Sequence, residues 1–176
     1  MIQKKICMLG SFGVGKTSLV SRFVYSLFSE QYLSTIGVKI DRKSVVVDDA
    51  EVNLLLWDLH GDDEFQRVRA SYLRGMSGYL LVADGTRAES LHVALDLQQL
   101  AKDTVGDVPF LLLINKYDRS AEWDIDMDRV AELESEGWLI RKTSAKTGRL
   151  VNETFDFLAR AMLAADAADD ADDDDE

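Results

Sequence analysis

The chain has 176 residues, of which 47% are hydrophobic, and this is enough for one folded domain with a substantial core. Its formal net charge of −12 argues against binding to nucleic acid or to an anionic membrane surface. A lone cysteine, Cys7, excludes an internal disulfide, and neither a membrane-spanning run nor a signal-peptide layout is present, so a cytoplasmic location is predicted.

Short apolar runs alternate with longer amphipathic runs, an order that predicts an α/β fold with a six-stranded, mostly parallel sheet and helices on both faces. The second and third strands are separated only by "DDAE", which predicts an antiparallel hairpin. The predicted strands are 2–9, 38–47, 51–57, 78–84, 108–114 and 138–142. The predicted helices are 16–27, 66–74, 88–103, 126–136 and 151–164.

The last stretch of the sequence, "DAADDADDDDE", carries many acids and no base. Such a segment cannot bury enough apolar surface to offset the entropy lost on ordering. Residues 165–176 are therefore predicted to be a disordered acidic tail after a single domain at residues 1–164.

A glycine-rich stretch, "GSFGVGKT" at residues 10–17, follows the first predicted strand and opens the first predicted helix. It matches the pattern G-x-x-x-x-G-K-[ST] and is called the P-loop below. Its glycines allow backbone N–H groups to turn towards phosphates, and the helix N-terminus favours negative charge. Lys16 would reach the β- and γ-phosphates, and the Thr17 hydroxyl would ligate Mg²⁺. The predicted phosphate-binding residues are Ser11, Gly13, Val14, Gly15, Lys16, Thr17 and Ser18.

Asp58 ends the third predicted strand and begins a D-x-x-G pattern with Gly61. An aspartate at a strand end is often only a turn residue, but beside a P-loop it can hold Mg²⁺ directly or through water. Gly61 can bring its backbone N–H close to the γ-phosphate. The pattern therefore predicts a second metal ligand at Asp58.

Two further motifs, "NKYD" at 115–118 and "TSAK" at 143–146, follow the fifth and sixth predicted strands. Both would lie at the carboxyl ends of parallel strands, where such sheets bind ligands. The Asp118 carboxylate can accept hydrogen bonds from two guanine donors that adenine lacks, and the Ala145 N–H can donate to guanine O6. The predicted base-binding residues are Asn115, Lys116, Asp118, Ser144, Ala145 and Lys146.

Taken together, these motifs resemble those of small GTPases of the Ras superfamily, and the chain is most similar to the Rab branch. The resemblance covers residues 4–164 and includes "GSFGVGKTSLVSRF", "STIGVKI", "LLLWDLHG", "SYLRG", "NKYD" and "TSAKTG" in family order. It implies a P-loop NTPase G domain that binds GTP and GDP with Mg²⁺, hydrolyses GTP and acts as a switch.

The resemblance also implies roles that spacing alone does not assign. Thr35 would sense the γ-phosphate and ligate Mg²⁺, and Phe28 would pack against the guanine. Residues 28–40 and 59–75 would be switches I and II. Effector proteins would bind a monomer through these switches, and an exchange factor and an activating protein are further expected partners. The expected effector patch consists of Ile40, Trp57 and Tyr72.

The chain departs from the family pattern at three places. Asp62 replaces the glutamine that orients the attacking water, and Phe12 replaces a small P-loop residue. The prenylated cysteines of Rab proteins have no counterpart, so no stable membrane anchor is expected. His60 or Gln66 could position the water instead, although a histidine in such a segment is more often exposed or structural. The predicted catalytic residues are Lys16, Thr35, His60, Gly61 and Asp62.

These departures favour a GTP/GDP switch that recruits effectors and hydrolyses GTP slowly. The alternative is a binding module that does not hydrolyse GTP and presents one constant surface to its partners. A P-loop kinase acting on a metabolite is disfavoured, because two motifs are suited to binding guanine and no insertion for a second substrate is visible.

Overall fold

The computed structural model describes residues 1–31, 37–59 and 68–173, and within these ranges six strands form one sheet with helices on both faces. The predicted α/β class is confirmed. The strands are β1 (Ile2–Gly10), β2 (Val38–Val47), β3 (Ala50–Leu59), β4 (Gly78–Asp84), β5 (Phe110–Asn115) and β6 (Ile140–Lys142). The helices are α1 (Lys16–Tyr25), α2 (Ala70–Leu73), α3 (Glu89–Val105), α4 (Met127–Ser135), α5 (Val151–Asp173) and a short 3-10 helix (Tyr117–Glu122).

The sheet has the strand order β2-β3-β1-β4-β5-β6, and only the β2–β3 pair is antiparallel. The predicted hairpin is confirmed. Its two turn residues, Asp48 and Asp49, have φ angles of 48° and 67°, as a tight two-residue turn requires. Because β1 lies between β3 and β4, the connections on the two sides of β1 run over opposite faces of the sheet. The loop after β1 therefore borders the crevice where ligands bind in such sheets.

Each face of the sheet is covered by its own set of helices and has its own apolar core. Helices α1 and α5 cover one face, where the Phe23 and Phe155 rings stack with centroids 4.1 Å apart. Helices α2, α3 and α4 cover the other face, where Leu73, Leu97 and Leu133 are buried. The central strands β4 and β5 are almost continuously apolar, as expected of parallel strands buried on both faces.

Helices α2 and α1 differ from their predicted bounds. The expected helix 66–74 is reduced to Ala70–Leu73 within the described residues, because the backbone at Arg69 is extended (φ −80°, ψ 127°). Helix α1 ends at Tyr25 rather than at 27, since Ser26 adopts a left-handed conformation with φ 56°. The chain therefore leaves α1 two residues early and enters the segment that borders the functional site.

Helix α5 is longer than expected and continues to Asp173, whereas a disordered tail was predicted from residue 165. Alanines are interspersed among the acids of this segment, and alanine has the highest intrinsic helix propensity, which favours the helix. Lys4 on β1 also forms an ion pair with Asp166. Within the described ranges, no helix combines the length and apolarity needed to cross a membrane.

Candidate functional site

A cavity of about 450 Å³ lies at the edge of the sheet where β1, β3 and β5 end. It brings together four segments of the chain, namely the P-loop, the segment after α1, the loop after β5 and the loop after β6. Phe28 lines it from the second segment, as the family resemblance implied. The predicted residues that line it are Gly13, Gly15, Lys16, Thr17, Ser18, Phe28, Asn115, Lys116, Asp118, Ala145 and Lys146.

Every carbonyl group of residues 10–15 in the P-loop accepts a hydrogen bond from an identified donor. The Lys16 ammonium binds the first two, Arg87 and Lys116 bind the next two, and Asn115 and an α1 backbone N–H bind the last two. The pairs are Lys16 Nζ with Gly10 O (2.9 Å) and Ser11 O (3.0 Å), Arg87 Nη2 with Phe12 O (2.7 Å), Lys116 Nζ with Gly13 O (3.1 Å), Asn115 Nδ2 with Val14 O (3.0 Å) and Leu19 N with Gly15 O (2.9 Å).

The three side chains that donate to the carbonyls of residues 12–14 orient the peptides of the loop. In a trans peptide the N–H points opposite to the C=O. When the carbonyls of Phe12, Gly13 and Val14 turn to Arg87, Lys116 and Asn115, the following N–H groups turn the other way. A row of N–H donors at a helix N-terminus is an anion-binding arrangement.

Two glycines allow this loop to approach the sheet closely. A Cβ at Gly15, whose φ is 107°, would lie 2.3 Å from Asn115 Nδ2. A Cβ at Gly10 would lie 2.4 Å from the Val82 carbonyl oxygen on β4. A side chain at Gly10 would displace the loop from β4, and a side chain at Gly15 would displace either the loop or Asn115.

A hydroxyl and a carboxylate meet at the phosphate end of the cavity. Thr17 Oγ1 donates to Asp58 Oδ2 at 2.6 Å, and Asp58 is only 1% exposed. Its second oxygen, Oδ1, is buried without a hydrogen-bond partner among the described residues. Burial raises the pKa of Asp58, and the Thr17 hydrogen bond and the Lys16 charge oppose this only in part. An oxygen-seeking cation would satisfy the buried carboxylate, so this pair fits Mg²⁺.

At the opposite end of the cavity, the loops after β5 and β6 hold each other. Ser144 Oγ donates to Asp118 Oδ1 at 2.7 Å, and Thr143 Oγ1 donates to Asn115 Oδ1 at 3.1 Å. The Ala145 N–H, predicted to donate to the base, is directed at Asn115 Oδ1 over a longer 3.3 Å. The Asp118 carboxylate is thus held at the cavity wall by a side chain from another loop.

The two predicted lysines of these loops form ion pairs that differ in burial. Lys116 Nζ lies 2.7 Å from Asp84 Oδ2, and Asp84 is 1% exposed. Burial disfavours the charged form of this carboxyl, but the donors of Lys116 and Thr86 outweigh that effect and lower the pKa of Asp84. Lys146 Nζ lies 2.6 Å from Glu30 Oε1, in an exposed pair beside the segment that contributes Phe28.

Three residues that support the site were not identified from the sequence. Asp84 ends β4 and holds Lys116, and Arg87 holds the P-loop. Trp123 donates its indole N–H to the Lys116 carbonyl at 2.9 Å, and its ring lies so close to Gly85 that a Cβ there would be 2.2 Å away. Of the three, only Asp84 could have been found from the sequence, because it is an aspartate at the end of a buried strand on the ligand-binding edge.

Several predicted residues lie elsewhere or cannot be placed. Ser11, Val14 and Ser144 are buried beside the cavity rather than lining it. The remaining predicted catalytic and metal-binding residues lie outside the described ranges, as does Gln66. These residues are Thr35, His60, Gly61 and Asp62.

The expected effector patch lies on β2, β3 and α2. Ile40 is paired with Trp57 across the hairpin and is 47% exposed. Trp57 and Tyr72 are partly buried and pack against the core beneath them. The Lys5 ammonium lies 3.6 Å from the centroid of the Trp57 ring, a distance typical of a cation–π contact.

Comparison with known proteins gives a match to the Ras family over residues 5–164. The chain is 34% identical to Ras-related protein Rab-13 of Canis lupus familiaris over 161 residues, covering 90% of this chain and 79% of that protein. It is 34% identical to Ras-related protein Rab-1 of Theileria parva, with 90% and 73% covered. It is 33% identical to Ras-related protein Rab-10 of Caenorhabditis elegans, with 91% and 81% covered.

Proposed function

Because the chain belongs to the Ras family and is similar to Rab proteins, we propose that its cavity binds GTP and GDP with Mg²⁺ in a molecular switch. One observation carries this proposal. A single cavity has the P-loop with the Thr17–Asp58 pair at one end and the Asp118 carboxylate at the other. The polyphosphate would lie along the P-loop, and the base would lie against the loops after β5 and β6.

Asp118 supports guanine as the preferred base. An ionised carboxylate only accepts hydrogen bonds, and guanine offers it two adjacent donors whereas adenine offers none in that arrangement. The Ser144 hydroxyl already holds this carboxylate, so little conformational freedom is lost on binding. Asn115 acts indirectly, since its side chain joins Val14 to Thr143 and thereby ties the phosphate end to the base end.

Thr17 and Asp58 would hold the Mg²⁺, with Thr35 as the third proposed ligand. Bound there, the ion would supply positive charge that offsets the charge of the phosphates. Asp58 supplies the negative charge for the ion, and the hydroxyl of Thr17 lies beside it. Lys16 contributes a second positive charge from its place under the loop, where its ammonium contacts the Gly10 and Ser11 carbonyls.

We further propose that hydrolysis of GTP is slow. Phe12 lines the cavity and is 42% exposed, so a ring stands at the loop position where the family resemblance implies a small residue. Asp62 would stand where the water-orienting glutamine is expected, and a carboxylate cannot donate a hydrogen bond to the transferring phosphoryl group. In this proposal Phe12 also obstructs an arginine supplied by an activating protein.

The nucleotide carried by freshly purified protein tests both the function and its alternative. Extraction followed by chromatography should yield guanine nucleotide and no adenine nucleotide. Mostly GDP indicates turnover by a switch, whereas mostly GTP indicates the non-hydrolysing module. Protein that copurifies with neither, and that binds added GDP no better than ADP, would contradict the proposed function.

Effectors would recognise the GTP-bound form through switches I and II and the effector patch. Ile40 offers exposed apolar surface on β2, and Trp57 lies next to it and directly before Asp58. The cation–π contact with Lys5 would hold the Trp57 ring in one orientation. A change at Asp58 on nucleotide exchange would thus be passed to the neighbouring tryptophan.

A further inference from the structure

Arg87 reaches the P-loop from the turn that follows β4. Its Nη2 donates to the Phe12 carbonyl at 2.7 Å and to Ser11 Oγ at 3.0 Å. The side chain is 34% exposed, so these contacts lie at the rim of the functional site and not in the apolar core. The residue belongs to none of the phosphate, metal or base motifs.

The turn that carries Arg87 is itself well held. The Arg87 N–H donates to the Asp84 carbonyl at 3.0 Å, and Thr86 donates to Asp84 Oδ1 from its N–H (2.9 Å) and its hydroxyl (2.7 Å). Asp84 Oδ2 lies 3.8 Å from Arg87 Nε and 2.7 Å from Lys116 Nζ. One buried carboxylate therefore anchors two cations that each bind a P-loop carbonyl.

These two cations act on consecutive peptides of the loop. Arg87 binds the Phe12 carbonyl and Lys116 binds the Gly13 carbonyl. Gly13 has a φ of 76°, a region that glycine enters without a steric penalty, so the peptide before it has unusual freedom to rotate. A donor outside the loop is the means of holding that peptide in one orientation. With its carbonyl on Arg87, the Phe12–Gly13 peptide directs its N–H away from Arg87 and towards the phosphate end.

We infer that Arg87 is a positioning residue for phosphate binding, which holds the Phe12–Gly13 peptide with its N–H available to the polyphosphate. This inference rests on the proposed function, because it requires a nucleotide in the cavity. It makes affinity for GDP depend on a side chain that does not itself line the cavity. A change at Arg87 should therefore affect binding at the phosphate end of the site and leave binding at the Asp118 end unchanged.

The test uses the full chain and the variants Arg87→Met, Arg87→Lys and Arg129→Met. Methionine keeps a long side chain without donors, and lysine keeps one cationic donor group. Arg129 is the matched control, because it is a partly exposed arginine on α4 whose recorded partners, Glu132 and Glu136, lie on the surface. Equilibrium competition measures the affinities for GDP, IDP and ADP, and thermal unfolding of each protein is recorded. IDP differs from GDP only by the missing 2-amino group, so the GDP/IDP ratio reports on the base end alone.

Arg87→Met should lower the affinity for GDP roughly tenfold or more, the scale expected for loss of a hydrogen bond from a charged group. The GDP/IDP ratio should stay at the wild-type value, Arg87→Lys should bind GDP more tightly than Arg87→Met, and Arg129→Met should match wild type. Unchanged GDP affinity in Arg87→Met would overturn the inference. So would a parallel fall in the GDP/IDP ratio, because general loosening of the fold affects both ends. Failure of the proposed function is distinct, since wild type itself would then not prefer GDP to ADP.

Discussion

Ser144 and Asp118 are joined by a hydrogen bond of 2.7 Å between residues 26 positions apart in the sequence. The bond links the loop after β6 to the loop after β5 and uses one oxygen of the Asp118 carboxylate. The carboxylate is therefore oriented before a ligand arrives. In the proposed function, base selectivity would then depend on two loops whose relative position is set by the pairing of β5 with β6.

The first prediction concerns base choice. Asp118→Asn should weaken GDP binding roughly tenfold to a hundredfold, because two hydrogen bonds to a charged acceptor are lost. Binding of xanthine nucleotides should improve relative to GDP, since the asparagine amide can donate to the xanthine oxygen. Ser144→Ala is the matched comparison and should cost less, because it frees the carboxylate without removing it. Competition binding with GDP, XDP and ADP measures this, and an unchanged GDP preference in Asp118→Asn would contradict it.

The second prediction concerns removal of Mg²⁺. Chelation should accelerate release of GDP from wild type. Before chelation, Asp58→Asn should release GDP roughly tenfold faster than wild type, because the charge that holds the ion is gone. Chelation should then change its release rate little. Asp41→Asn is the control, since it removes a neighbouring buried carboxylate that accepts from Tyr25 rather than from Thr17. Stopped-flow release of a fluorescent GDP is the measurement. A full response to chelation in Asp58→Asn would remove this residue from the metal site.

The third prediction concerns the close approach of the P-loop to β5. Gly15→Ala should strongly weaken GDP binding, because its Cβ would lie 2.3 Å from Asn115 Nδ2, so that the loop or the side chain that binds the Val14 carbonyl must move. Gly137→Ala is matched in backbone strain, with φ 96° against 107°, but has open space around the added atom. Both should lose about 1–2 kcal/mol of stability from the positive φ. Thermal unfolding and GDP binding are compared, and equal GDP affinity in the two variants would be incompatible with the close contact.

The fourth prediction concerns hydrolysis. Single-turnover measurements should show slow wild-type hydrolysis, and Asp62→Gln should accelerate it by up to about a hundredfold, the scale of water positioning. Phe12→Gly should change the intrinsic rate little but restore a response to a Rab-type activating protein, whose arginine is worth about 10³–10⁵ in rate. A brisk wild type that is slowed sharply by His60→Ala would instead assign the catalytic role to His60.

The fifth prediction concerns the effector patch. Trp57→Ala should remove proteins that are recovered only with the GTP-loaded form, because buried aromatic anchors contribute most of the energy of such interfaces. Leu139→Ala is the control, since Leu139 is an exposed apolar residue at the far edge of the sheet, beside β6. Affinity capture with GTP- and GDP-loaded protein is the measurement. Retention of every GTP-dependent partner by Trp57→Ala would exclude the patch.

The lengths of α5 and α2 differ from those expected from the sequence, and each difference has a physical reason. Helix α5 continues to Asp173 because alanine propensity and the Lys4–Asp166 pair act where only charge and burial were weighed. Helix α2 is short because extended backbone at Arg69 precedes it, while Val68 is buried against the core. Helix α5 thus reflects local propensity together with a contact to another element, and the start of α2 coincides with a residue that packs into the core.

The sequence by itself determined the order of the strands and helices, the P-loop, the strand-end Asp58 and the two motifs that are proposed to bind the base. These are local patterns, because residue spacing within a few positions reports which side chains share a strand face, a helix face or a loop. Only the tertiary structure decided which donors hold the P-loop. Arg87 lies 75 residues from Phe12 and Lys116 lies 103 residues from Gly13, and they meet only because β4 and β5 follow β1 in the sheet. Whether a side chain reaches the loop after a neighbouring strand depends on how the strands pack, and the spacing of residues along the sequence does not encode this.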